Sequence, residues 1–366
     1  YLNHGSFGPP PLAVRMSRRA WIHRLDADPM DFFVRHQEQV LHEVVARLAE
    51  FVGATASDLA LVDNATYGMN TVAANFPLAA GDEVVLTDHE YGAVLRIWQR
   101  ACDRSGAILR IAKLPFPPQS TEEVVAAVVG HFGPRTRLLV VSHITSPTAL
   151  ILPVQEICAA AREANVATCI DGPHAVAMLP LDITALDCDF YTASCHKWLS
   201  ATLGTGFLYV HPRQQAGFQP LNLSWGRTQE NLPTAWNEEY LWPGTRDMSG
   251  YFSIPAAIDF LNTAPIEAFR ARGHYLAKLG SEMINAITGY EPVGDVDHWY
   301  GTMVPAELPP VEVLPFRDAI WQHARVHVPI VGWGDRRFVR ISCHLYNSRR
   351  DVELLAQAIG DLLRTV

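Results

Sequence analysis

The chain has 366 residues, 49% of them hydrophobic, and its 29 basic against 38 acidic side chains leave a formal charge of -9. That length buries a large core and predicts one large and one small domain, while an acidic chain without long runs of like charge excludes nucleic acid and acidic membrane as expected partners. No charge-free apolar stretch of spanning length and no signal-peptide layout occurs, so no membrane association and a cytoplasmic location are expected.

Pro29 follows Asp28 as a helix start, Leu41, Val44, Val45 and Leu48 recur at helical spacing, and Gly53 ends the run, so 29–52 reads as one amphipathic helix. Short apolar runs follow at Leu59–Val62, Glu83–Leu86, Ile108–Ile111, Leu138–Ser142, Val166–Ile170, Phe190–Thr192 and Phe207–Val210. Separated mainly by helical segments, they predict an α/β fold whose large domain holds a mostly parallel seven-stranded sheet between helices. After about residue 260 the pattern becomes a helix over 264–288, an ill-defined Pro-rich middle (292–315), a strand Phe338–Cys343 and a last helix over 349–364, a smaller C-terminal α+β domain. The expected division is an N-terminal segment 1–25 packed on the small domain and the active site, a large domain 26–258 and a small domain 259–366.

Ligands of open α/β sheets bind beyond the carboxyl ends of the strands, which directs attention to three segments. In Asn64-Ala65-Thr66-Tyr67-Gly68, a helix opening after a strand offers backbone N–H groups and the Thr66 hydroxyl to a phosphate; an ordinary helix cap is the alternative. In Asp171-Gly172-Pro173-His174, a carboxylate at a buried strand end calls for a charged or hydrogen-bonded partner, which a protonated pyridine nitrogen would supply; an Asp that caps the next helix or pairs with an arginine reads as well on this segment alone. In Ser194-Cys195-His196-Lys197-Trp198, a lysine beside an apolar Trp-Leu pair is desolvated, which frees its amine for imine formation, unless it is a surface lysine with a snorkelling stem. Only Lys113, Lys197 and Lys278 are lysines among the basic residues. Asp171, His174, Cys195 and His196 are also metal-ligand types, but their spacing matches no compact zinc signature and no metal is expected. The six cysteines form no CxxC pair and suit reduced thiols.

Taken together, the three segments resemble the fold-type I enzymes that use pyridoxal 5'-phosphate (PLP), specifically the class V aminotransferase group and its isopenicillin N epimerase-like branch, related to the cysteine desulfurases. Leu2-Asn3-His4-Gly5-Ser6-Phe7-Gly8, Asp28-Pro29-Met30-Asp31-Phe32, Asp88-His89-Glu90-Tyr91, Ser142-His143 with Leu150-Ile151-Leu152-Pro153, Gly244-Thr245-Arg246-Asp247 and Val339-Arg340-Ile341-Ser342 extend the resemblance over nearly the whole chain.

The resemblance implies roles. Lys197 would carry PLP as a Schiff base and act as general base, with Asp171 on the pyridine nitrogen and His174 near the ring hydroxyl or substrate. Tyr91 would stack on the cofactor, with His89 the rival in a shifted register. Ala65, Thr66, Ser194 and His196 would cradle the phosphate, and Thr245 would reach the phosphate of a neighbouring subunit, which implies a homodimer with the site at its interface. Arg340 would clamp the carboxylate of an amino-acid substrate, and Asn3, His4 and Ser6 would line its pocket. The implied activity is epimerase- or racemase-like chemistry at the α-carbon, with Tyr91 or His4 as a second acid opposite Lys197; β-eliminating C–S lyase or aminotransferase activity, or a PLP-fold protein without catalysis, are the alternatives. Cysteine desulfurases carry a nucleophilic cysteine on a loop before the position of Arg340; Arg325 to Gly334 has none, so persulfide formation is not expected.

Overall fold

In the computed structural model, which describes residues 1–226, 235–263 and 265–364, the alternating runs of the first two-thirds form one seven-stranded sheet. Its strands are β1 (Leu59–Val62), β2 (Glu83–Thr87), β3 (Ile108–Ala112), β4 (Thr136–Ser142), β5 (Ala167–Asp171), β6 (Phe190–Ser194) and β7 (Gly206–Val210). They lie in the order β1-β7-β6-β5-β4-β2-β3, and β7 alone runs against its neighbours. The expected mostly parallel sheet is present.

Apart from the largely exposed edge strand β3, the strands of this sheet are covered on both faces, which is why they read as apolar runs. Side chains still alternate. Leu138 and Val140 of β4 join Val84, Leu86 and Trp98 on one face, whereas Leu139 and Val141 join Val85, Ile170 and Ile157 on the other. Each such aliphatic side chain contributes about 1.5–3 kcal/mol by leaving water.

The expected helix over 29–52 is interrupted. Pro29–Asp31 is followed by a π-helical turn, Phe32–His36, and then by the helix Gln37–Val52, which Gly53 ends at φ +64°. The N-terminal segment also holds an unforeseen helix, Leu12–Ala27. A helix Ile254–Leu261 runs across the expected domain boundary, and the next begins at Ile266 and ends at Thr288; the expected start at residue 264 lies outside the described residues.

In the small domain the Pro-rich middle contains a strand. β8 (Met303–Leu308), β9 (Ile330–Trp333) and β10 (Arg336–Ser342) form an antiparallel sheet in the order β8-β10-β9, packed under helix Ile266–Thr288, against which helix Arg349–Leu363 packs. Pro305 sits on edge strand β8 opposite Arg340, where its missing N–H costs no central ladder bond. Residues 1–8 tie the two parts together: Leu2 N–H donates to the His327 carbonyl, Ser342 N–H donates to that of Leu2, and Gly8 N–H donates to that of His196. Among the described residues no helix is long and apolar enough to cross a membrane.

Candidate active site

The carboxyl ends of β1, β4, β5 and β6 open on a cavity of about 500 Å³ that β10 closes from the small domain. Beyond β6 the chain turns tightly, with Cys195 N–H on the Thr205 carbonyl and Ser200 N–H on that of Lys197, and this loop aims Lys197 inward. The lysine is half-buried, and its Nζ lies 3.3 Å from His174 Nε2, while the Trp198 indole N–H donates to His174 Nδ1 at 3.2 Å.

Electrostatics follow from burial. Desolvation pushes the Lys197 amine well below the ordinary lysine range, with the Arg340 charge adding and Asp171 opposing. Burial lifts the Asp171 carboxyl, against the pull of Lys197. His174 is held neutral by burial first and then by the Lys197 and Arg340 charges, and burial lowers His196 as well. Asp171 ends β5 facing the cavity, and among the described residues it has no ion-pair partner within 4.0 Å.

Arg340 projects from β10 into the same space. Its Nη1 donates to the Ser146 carbonyl and lies 3.4 Å from Ser146 Oγ, its Nη2 lies 3.4 Å from Ser6 Oγ, and its Nε is buried without a partner. Burial lowers its pKa to about 10. No carboxylate among the described residues pairs with it, so the guanidinium is a buried cation awaiting an anion.

At the other end of the cavity, helix Ala65–Asn75 points its N-terminus inward. Asn64 Oδ1 caps it by accepting from Tyr67 N–H at 2.9 Å, and Ala65 N–H donates to Ser194 Oγ at 3.0 Å. The capping and phosphate readings of this segment are therefore compatible: the cap leaves Thr66 N–H free, with the helix dipole behind it.

Of the residues singled out by sequence, Ser6, Ala65, Thr66, Tyr91, Asp171, His174, Ser194, His196, Lys197 and Arg340 line this one cavity. Tyr91, half exposed, takes the cavity side of its segment; His89 is buried against Trp333 and Phe116 and does not. Asn3 and His4 stand outside it. Asn3 is bridged to Ser342 beside β10, and fully buried His4 lies behind the lysine loop, with Nε2 on the Lys197 carbonyl at 3.0 Å and Nδ1 on Tyr346 Oη at 2.8 Å. Neither side chain therefore stands where the expectation put it, and both His4 nitrogens are engaged by protein groups. Thr245 is exposed and does not line the cavity of its own copy. Ser146, Ile144 and Phe7 line it unforeseen. Ser146 follows β4, so strand-end reasoning alone could have found it. Cys195 is fully buried outside the lining.

A lysine, an unpaired aspartate and a helix N-terminus at the strand ends of such a sheet define a PLP-dependent enzyme of the type I fold. Two solved structures share that fold at low identity. A C-DES mutant with glycine covalently linked to the PLP cofactor aligns with TM-score 0.85 at 22% identity, covering 99% of this chain and 96% of that one. The cystine C–S lyase C-DES in complex with its reaction product, cysteine persulfide, aligns with TM-score 0.83 at 23% identity, covering 99% and 97%. The aminotransferase class-V family model matches residues 30–355, and the chain belongs to that family. It is similar to the isopenicillin N epimerase of Amycolatopsis lactamdurans, 36% identical over 99% of this chain and 94% of that protein, and to that of Streptomyces clavuligerus, 33% identical over the same shares. A putative L-cysteine desulfhydrase 1 of Oryza sativa subsp. japonica is 29% identical over 99% of this chain and 83% of its own.

Proposed function

We propose that this enzyme epimerises or racemises the α-carbon of an amino acid or amino-acid-derived substrate, with Lys197 as the base. The observation that carries the reading is the buried Arg340 guanidinium, without a carboxylate of its own, in the same cavity as Lys197. Such a group binds a carboxylate bidentately and fixes the α-carbon relative to the lysine nitrogen.

PLP suits the groups present. Lys197 would hold it covalently, Asp171 would pair with its ring nitrogen, and His174 would lie near the ring hydroxyl. Tyr91 would stack on the ring, and the Thr66 N–H and hydroxyl with Ala65, Ser194 and His196 would hold the phosphate. When bound, PLP supplies an electron sink beside the α-carbon. The rest is protein chemistry. Lys197, whose amine desolvation pushes down to about 8, would take the α-proton at Nζ. Inversion requires a donor on the opposite face, and Tyr91 Oη is the candidate on the cavity wall. Thr245, exposed in one copy, fits the homodimer reading, in which it serves the phosphate site of the partner.

The 36% and 33% identities to the two epimerases favour inversion over β-elimination. A persulfide carried on the enzyme's own cysteine, as in a desulfurase, lacks its nucleophile: all six cysteines are buried, and burial pushes the Cys343 thiol up to about 12. The test is incubation with amino-acid substrates in heavy water. Deuterium at the α-carbon with inversion of configuration is expected; ammonia and pyruvate release instead would move the enzyme to the lyases.

A further inference from the structure

We propose that Trp198 is a positioning residue for Lys197: its indole N–H fixes His174 in the tautomer that carries the proton on Nε2, so that a donor faces the lysine nitrogen and holds the amine neutral. The catalytic meaning of this device rests on the role of Lys197 proposed above; its existence does not.

An indole N–H only donates, so His174 Nδ1, 3.2 Å from Trp198 Nε1, must present its lone pair. A neutral imidazole with a bare Nδ1 carries its hydrogen on Nε2, the atom 3.3 Å from Lys197 Nζ. An ammonium has only donors and meets that N–H unfavourably, whereas a neutral amine accepts it. The charged and titratable groups facing Lys197 are Asp171 from β5, which favours the ammonium, Arg340 from β10, which disfavours it, and His196 in its own loop. His174 itself faces Lys197 and Arg340. With Asp171 and Arg340 opposed in sign, the direction of one hydrogen bond tips the balance.

The indole is held in place from behind. His344 Nε2 lies 3.1 Å from the Trp198 carbonyl, His4 Nε2 lies 3.0 Å from the Lys197 carbonyl, and the two imidazoles stack at 3.9 Å and 14°. Each therefore donates from Nε2, and His4 Nδ1 accepts from Tyr346 Oη.

The test uses the full chain freed of cofactor. Nitrogen NMR of the wild type reads the His174 tautomer directly, with Nδ1 expected bare. Acylation of Lys197 against pH, followed by mass spectrometry of its peptide, reads the amine ionisation, with Lys113 and Lys278 in the same digest as internal references. In Trp198→Phe the ring remains but the N–H is gone, His174 is free to turn its lone pair to Lys197, and the midpoint should rise by about one pH unit, a roughly tenfold slower acylation below it. On a His174→Ala background the same substitution should move nothing further. An Nδ1–H tautomer in the wild type, an unmoved midpoint, or an equal rise without His174 would each overturn the proposal. None of these readouts depends on which reaction the loaded enzyme performs.

Discussion

Arg340 keeps a charge in the protein interior with only hydroxyl and carbonyl oxygens around it, an arrangement that costs stability until an anion arrives. Replacing it separates binding from folding. Arg340→Met should lose a charge-assisted contact of about 1.5–3 kcal/mol, seen as a KM roughly 10- to 150-fold higher, while the melting temperature of the substrate-free chain rises. An unchanged KM would contradict the carboxylate role. Glu90, next to Tyr91, is a second buried acid outside the cavity lining. Burial lifts its pKa from 4.5 to about 7, partly opposed by bonds from Ser142 and Thr87 and reinforced by Asp171. Between those two values the folded chain keeps a proton that the unfolded chain has lost, so the stability owed to Glu90 falls as pH rises through this window and levels off above it. Glu90→Gln, which stays neutral, should flatten the slope of melting temperature against pH there; an unaltered slope would show that Glu90 is not the titrating group.

At the scale of elements, legibility followed burial. Strands β1, β2 and β4 to β7 were readable because burial on both faces leaves apolar runs, β3 was readable from its short apolar run although it is a largely exposed edge, and each catalytic candidate was readable because it ends or follows one of these strands. The strand β8 was hidden by Pro305, harmless only because β8 is an edge, and sequence does not mark edges. Helix Leu12–Ala27 was hidden because it buries only Val14 and Leu25 and spreads arginines around its circumference. The π turn at Phe32–His36 leaves no mark in a helical periodicity that resumes beyond it. The placement of His4 was not legible for a related reason: its segment was recognised, but nothing local says which of its side chains turns toward the cavity and which turns behind the lysine loop. That segment is held close at Gly8, where an added Cβ would come within 2.2 Å of the Lys197 carbonyl and 2.9 Å of that of His196. Gly8→Ala should therefore displace the lysine loop, at a cost of about 1–3 kcal/mol, and lower cofactor occupancy measured by visible absorbance. Full occupancy at wild-type stability would contradict this packing.

For the molecule as a whole, the cavity belongs to neither domain alone. The large sheet supplies Asp171, Ser194 and the lysine loop, the small sheet supplies Arg340, and residues 1–8 bridge them through Leu2 on β10 and Gly8 on the loop. On the proposed function, substrate recognition and proton transfer would be set by how the two sheets are held together, which sequence periodicity does not encode. Everything depends on one covalent assignment, and three lysines make it easy to check. Borohydride reduction of the purified enzyme, followed by digestion and peptide mass spectrometry, should find the pyridoxyl group on the peptide containing Lys197 and no such adduct in Lys197→Ala. A pyridoxyl group on Lys113 or Lys278, or none at all, would contradict the account.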